Sequence, residues 1–225
     1  MRAASSDIAD FLLHQIEMEI VPGRHSGTVI EGLFSFSAMP TDGPSVTDRF
    51  RLRITVPDGF PRTLPEVTEL NHKIARTAEN HVNPDGTLCL GSPLGLRVAM
   101  ADGQSLSDFS DRCLVPFLYA TSLRLSGQLG FYFGELDHGA VGVFQDYKRI
   151  FGVTTEAATL ICTQMLSIKK RVANKRQCPC SCGRRLGKCP LHLRINSIRS
   201  LVPRSWFLVG QARRTPHQLL SQPSR

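Results

Sequence analysis

Apolar and polar positions alternate most cleanly between Phe50 and Val56, where Phe50, Leu52 and Ile54 are separated by arginines. Period two of this kind predicts a strand with one face on a core and one in water. Phe34 and Phe36 alternate with serines in the same way. Together with "EMEIVPG" before them and Val67 and Leu70 after the Pro-rich "FPRTLPEVTEL", these segments predict four strands. Glycine and proline punctuate the gaps, so the simplest topology is an antiparallel meander. Helical spacing of Ile8, Phe11, Leu12 and Ile16 predicts a helix ahead of the strands, capped by Ser5 or Ser6 with Asp7 in its first turn.

Downstream of the strands the period changes to that of helices. "SLSDFSDRCLVPFLYATSLRL" predicts one with Ser107 as its cap and Phe109, Cys113, Leu114, Phe117 and Leu118 on one side. Pro116 falls in its first turns or kinks it. A short helix is expected over about 141–151. Another is expected over 155–175, with Leu160, Ile161, Met165 and Ile168 buried and a basic end suited to the helix dipole. Cys113 and Cys162 lie on apolar helical faces and are read as core. The fold class is therefore α+β.

Charge divides the chain. Residues 1–150 hold 13 Lys/Arg against 18 Asp/Glu, whereas residues 151–225 hold 14 against Glu156 alone. This places a boundary near 150, giving a domain over 1–152 and a basic tail over 153–225. A segment so basic attracts an acidic partner, either nucleic acid or an acidic protein face. The apolar runs are too short to span a bilayer, and the N-terminus lacks the apolar stretch of an export signal, so a cytoplasmic location is expected.

"HVNPDGTLCLGSP", His81 to Pro93, gathers the residues of an acyl-transfer site. Thioester chemistry needs an accessible thiolate and a donor for the oxyanion. Asp85-Gly86 supplies a tight turn that carries Asn83 back toward Cys89. The Asn83 amide either donates to an oxyanion or pins the loop, and His81 holds the loop's shape. The competing reading is that Cys89 is a buried, inert small hydrophobe.

The succession of helix, meander, "FPRTLPEV" and "HVNPDGTLCL" resembles the ubiquitin-conjugating enzymes over residues 5–150. In that family a Pro-rich stretch and a His-Pro-Asn tripeptide precede the catalytic cysteine; here they match Pro61, Pro65, His81, Asn83, Gly86, Cys89 and Leu90. Val82 stands in the place of the family's proline, and the tryptophan expected after the cysteine is absent. The resemblance implies a ubiquitin-conjugating (UBC) fold: N-terminal helix, four-stranded meander, active-site loop and C-terminal helices. It also implies that Cys89 holds the thioester, with Asn83 and His81 in support. "YFGELDHGAVGVFQDY" resembles bacterial members of the fold found beside cyclic-oligonucleotide anti-phage systems (CBASS). There a conjugating protein joins the C-terminus of a nucleotide cyclase to a target lysine. Asp102, Asp108 and His138 are further candidates at such a site. Their plainer roles are a solvated turn residue, a first-turn acid and a structural histidine. An inactive scaffold of the same fold is the alternative.

In "CPCSCGRRLGKCPLH" the chain concentrates Cys178, Cys180, Cys182, Cys189 and His192. Clustered thiols in a chain without an export signal suit structural zinc better than disulfides. The spacing resembles the SEC-C zinc motif, which implies Cys178, Cys180 and Cys189 as ligands. Pro190 occupies the motif's fourth position, so His192 is the expected fourth ligand and Cys182 its substitute.

Overall fold

A computed structural model describes residues 2–23, 27–127 and 139–208. The chain forms two compact units, Met1–Leu90 with Asp102–Glu135, and Gly91–Ala101 with Leu136–Arg225. No described helix is long and apolar enough to cross a membrane.

The first unit opens with α1 (Arg2–His14), which buries Ile8 and Phe11. The helix starts ahead of Ser5 and Ser6. Asp7 does not serve its own first turn; its carboxylate accepts the Leu106 N–H at 3.0 Å. Ile16 lies beyond the helix and is 85% exposed, so the helical spacing overran its end. Gln15 stops the helix instead, exchanging two 3.0 Å hydrogen bonds with the Ser35 backbone.

Four strands follow, β1 (Met18–Val21), β2 (Thr28–Ala38), β3 (Val46–Val56) and β4 (Glu66–Glu69). They pair antiparallel in the order β1-β2-β3-β4, the expected meander. Phe34 faces Phe50 and Ile54 faces Val67 across the ladders. All four side chains are sealed from solvent, while Arg49, Arg51 and Arg53 point out. The alternation in β3 is thus the cause of its orientation. Gly32 has no substitute where β1 joins β2. At its φ of 150° a Cβ would lie 2.1 Å from the Glu17 carbonyl oxygen.

The chain leaves the first unit at Leu90, forms α2 (Pro93–Ala99) of the second, and returns at Asp102. There α3 (Leu106–Phe109) is capped by Ser105 rather than Ser107. The Ser105 hydroxyl accepts the Asp108 N–H while Asp108 accepts from the Ser105 backbone, a reciprocal pair that satisfies two orphan donors. A single π turn, Ser110–Leu114, leads into α4 (Val115–Leu125). The wider turn comes immediately before Pro116, which has no N–H to give. Leu106, Phe109, Cys113, Leu114 and Leu118 are buried along this run. Ser122 ties α4 to β3 by donating to Asp48 at 2.7 Å.

The second unit is helical. It contains α2, α5 (Gly139–Phe151), α6 (Glu156–Ser167), α7 (Lys170–Ala173), α8 (Leu191–Leu201) and α9 (Arg204–Leu208). Leu94, Tyr147, Phe151, Cys162, Leu166 and Ile195 share one buried cluster with Cys178 and Cys189. A boundary at 152 therefore falls inside this unit.

The expected helix over 155–175 is broken at extended Ile168, and its buried face differs from the expected one. Ile161 is exposed and Leu160 half-buried, while Thr159 and Thr163 point inward. Their hydroxyls donate to the carbonyls one turn back at 3.0 Å, so their burial leaves nothing unpaired. The cation at this helix end comes from α8. Arg199 donates to the carbonyls of Met165, Leu166 and Ile168, a cap supplied through space rather than by Lys169 or Lys170.

Candidate functional site

Leaving β4, the chain makes a 3-10 turn over Ala78–Asn80 that ends at His81 in a left-handed conformation, φ 54°. This turn is held by Arg124 of α4, which donates to the Glu79 carbonyl and, at 2.5 Å, to Asn80 Oδ1. Nothing in the local sequence marks Arg124, because its partners lie more than 40 residues away in the chain.

The loop then folds on itself as a miniature hairpin. Val82 pairs with Leu88, and Thr87 pairs with Thr68 of β4. Gly86, at φ 86°, closes the tight turn by donating to the Asn83 carbonyl at 2.8 Å. The Leu88 N–H reaches the Val67 carbonyl at 2.7 Å and anchors the loop to the sheet. Cys89 follows directly. Its N–H donates to the His81 carbonyl at 2.7 Å, and the residue is exposed.

The structure thus brings His81, Asn83 and Cys89 into one small loop, each in a distinct position. Asn83 Nδ2 donates to Thr87 Oγ1 at 2.9 Å, and Thr87 in turn donates to Asp85 at 2.6 Å. The amide of Asn83 braces the loop from within. His81 acts through its backbone, receiving Cys89. Asp85 and Thr87 complete the brace; the sequence pattern marked Asp85 only as a turn residue and did not single out Thr87. A short polar side chain two residues from a tight turn is the mark by which they are found.

Asp108 is engaged in its capping box. The Ser105 hydroxyl, followed by the Ser105 N–H, holds its carboxyl below the usual range. It takes the first-turn role. Asp102 is an exposed turn residue. His138 lies outside the described residues. Cys113 and Cys162 are buried, and burial pushes both thiols up, to about 11 and about 12.

In the second unit a different group of thiols converges. Segments on either side of the cysteine-rich turn pair through Gln177 and Arg185. Between them Ser181 (φ 60°) and Gly183 (φ 73°) take left-handed conformations that coil the chain tightly. Cys178, Cys180, Cys182 and Cys189 then place their sulfurs within 4.8 Å of one another. Cys178 and Cys180 stand 3.1 Å apart, and Cys180 and Cys189 3.5 Å. Four thiolates around a tetrahedral ion with bonds near 2.3 Å would be separated by about 3.8 Å, so the group is of the size a metal ion requires. Cys178 and Cys189 are buried against the helical core, and Cys180 and Cys182 face solvent.

Cys182 is the one whose thiol is lowered. The Arg184 N–H and then the neighbouring Cys180 thiol bring it down to about 6. Burial pushes Cys178 the other way. The gathered groups differ from the expected set at its fourth member. His192 is not among the gathered groups; its Nδ1 lies 2.6 Å from the Cys189 carbonyl, on the first turn of α8. Cys182, the expected substitute, is among them, flanked by the two left-handed residues Ser181 and Gly183. The four cysteines lie close enough to bind a metal ion.

No family model matches the chain, and no curated protein or solved structure matches it either.

Proposed function

We propose that the first unit is a ubiquitin-conjugating-like transferase in which Cys89 carries an acyl group as a thioester. The observation that carries this reading is the exposed Cys89 at the exit of a doubly bridged loop docked on the last strand of a four-stranded meander. The Cys89 thiolate attacks the activated C-terminal carbonyl of a partner protein. A carbon–sulfur bond forms and the activating group leaves. A lysine amine of the acceptor then attacks the same carbon. The carbon–nitrogen bond forms, the thiolate departs, and the amine's proton passes to solvent. The bacterial resemblance makes a cyclic-oligonucleotide cyclase the first partner to try, in an anti-phage setting. In the second unit Cys178, Cys180, Cys182 and Cys189 hold a structural zinc ion, the metal best suited to four thiolates in a closed site.

One observation favours a second reading, a scaffold of the same fold without activity. The Asn83 amide spends one of its two N–H groups on Thr87, which ties it to the loop and leaves a single N–H for an oxyanion. The two readings separate in one assay. The full chain is incubated with a candidate partner, its activating system and ATP, then resolved without reductant. A transferase gives an adduct that thiol reductant removes. Cys89→Ser gives an oxygen ester that resists reductant and yields to alkali, and Cys113→Ser behaves as the parent. An adduct that persists in Cys89→Ala, or none with any partner, favours the scaffold.

A further inference from the structure

The second unit carries a surface that the proposed chemistry at Cys89 does not use. Residues 157–225 contain no Asp or Glu. Lys170, Arg171, Lys175, Arg176, Arg185 and Lys188 are all exposed. The backbone brings them together. The Leu186 N–H donates to the Arg176 carbonyl at 2.8 Å, and the Gly187 N–H donates to the Asn174 carbonyl at 3.0 Å. Lys175 and Arg176 on one arm of this hairpin therefore lie beside Arg185 and Lys188 on the other, with Lys170 and Arg171 on the helical turn that enters it. The ion pairs of the described residues all involve positions up to 149.

The plainest explanation of these cations is that they balance the thiolates beside them. Four thiolates around one divalent ion leave a charge of about −2. Arg184, whose side chain bonds Cys182, supplies the first compensating charge. One more suffices. Four or five exposed cations remain close together without a counter-charge, and their mutual repulsion is relieved by an anionic polymer. An acidic protein is one such polymer. A protein interface, however, centres on apolar and aromatic anchors ringed by polar groups. This hairpin offers only Val172, 42% exposed, within its basic rim. A single strand of nucleic acid would want exposed aromatic platforms. Among the described residues of this unit Trp206 is half-buried, edge-on to Phe207 at 4.8 Å.

We propose that this hairpin, held in shape by the four-cysteine site at its tip, binds the phosphate backbone of a nucleic-acid duplex without reading its bases. Lysines and arginines confer such binding through counterion release, which gives it a steep dependence on salt. Fluorescence anisotropy of the full chain with a labelled 20-base-pair DNA duplex, and with the RNA duplex of the same sequence, tests this between about 50 and 200 mM KCl. Affinity is expected to fall with a log–log slope of about −3 to −5 and to be equal for unrelated sequences. Changing Lys175, Arg176, Arg185 and Lys188 together to glutamine is expected to weaken binding at 0.1 M salt by about 30-fold or more and to flatten the slope by about 3. Arg51→Gln, an exposed cation of the first unit, is expected to leave both unchanged. Metal content and circular dichroism identical to the parent show that the quadruple variant is folded. Two pairwise variants, K175Q/R176Q and R185Q/K188Q, give intermediate losses and stand in for it should it misfold. Absence of duplex binding overturns the proposal, as does parental affinity in the variants. Tighter binding of poly-glutamate than of either duplex assigns the surface to an acidic protein instead. A preference between the DNA and RNA duplexes identifies which is the natural ligand.

Discussion

Asn83 and Thr87 share a single hydrogen bond inside the loop that ends at Cys89. If Asn83 acts by bracing, removing either partner breaks this bond, and Thr87→Val also removes the hydroxyl's bond to Asp85. Asn83→Ala and Thr87→Val are each expected to cost about 1 kcal/mol of loop stability and to slow thioester formation about fivefold. The double variant is expected to lose little more than Thr87→Val alone, because that change already removes the shared bond. Single-turnover thioester formation with the three variants measures this. A much larger loss in Asn83→Ala than in Thr87→Val would mean that the amide reaches the reacting carbonyl. At this scale the sequence showed which residues gather but not what each one touches. The turn at Asp85-Gly86 was legible because few residues make it. That Thr87 receives an N–H of the Asn83 amide depends on side-chain rotamers that spacing does not encode. Cys182 was obscured for a related reason. A cysteine two residues beyond Cys180 looks surplus until Ser181 and Gly183 turn left-handed.

The elements themselves were legible in proportion to how one-sided their environments are. β3 buries one face and hydrates the other, so its alternation was unambiguous. The register at the start of the sheet rests on Gly32, whose place between β1 and β2 leaves no room for a side chain. Gly32→Ala is expected to destabilise the first unit by about 2 kcal/mol or more, through both the clash and the positive φ. Urea titration followed by a probe in this unit measures it, and an unchanged midpoint would mean that β1 shifts freely. The α6 helix was legible as a helix and misleading as a face. Thr159 and Thr163 satisfy their own hydroxyls, so they enter the core while Ile161 stays exposed and Leu160 is only half-buried. Hydrophobic spacing assumes that polar means exposed, and here that assumption fails.

For the whole molecule, charge composition suggested a boundary near 150, yet compactness follows contacts rather than charge. Cys178 and Cys189 lie in the same buried cluster as Phe151, Cys162 and Leu94. Loss of a metal bound by the four-cysteine group is therefore expected to reach well beyond the tail. Structural zinc contributes about 10 kcal/mol or more in small domains, comparable to the stability of a whole unit. Purified protein is expected to hold one zinc per chain, Cys182→Ser to lose it and His192→Ala to keep it, as elemental analysis will show. Chelation is expected to raise hydrogen exchange in α2 and α5 as well as in α8. Exchange confined to residues beyond 167 would show that the helical core stands without the metal.

The excursion between Leu90 and Asp102 has a practical corollary for anyone who would divide the protein. Because eleven residues of the second unit are inserted into the sequence of the first, no single cut yields either one whole. A shortened chain ending at residue 127 keeps Leu94 but discards the partners that cover it, leaving a greasy stump directly after Cys89. Activity lost on such a truncation would report insolubility, not the absence of a catalytic contribution from the missing half.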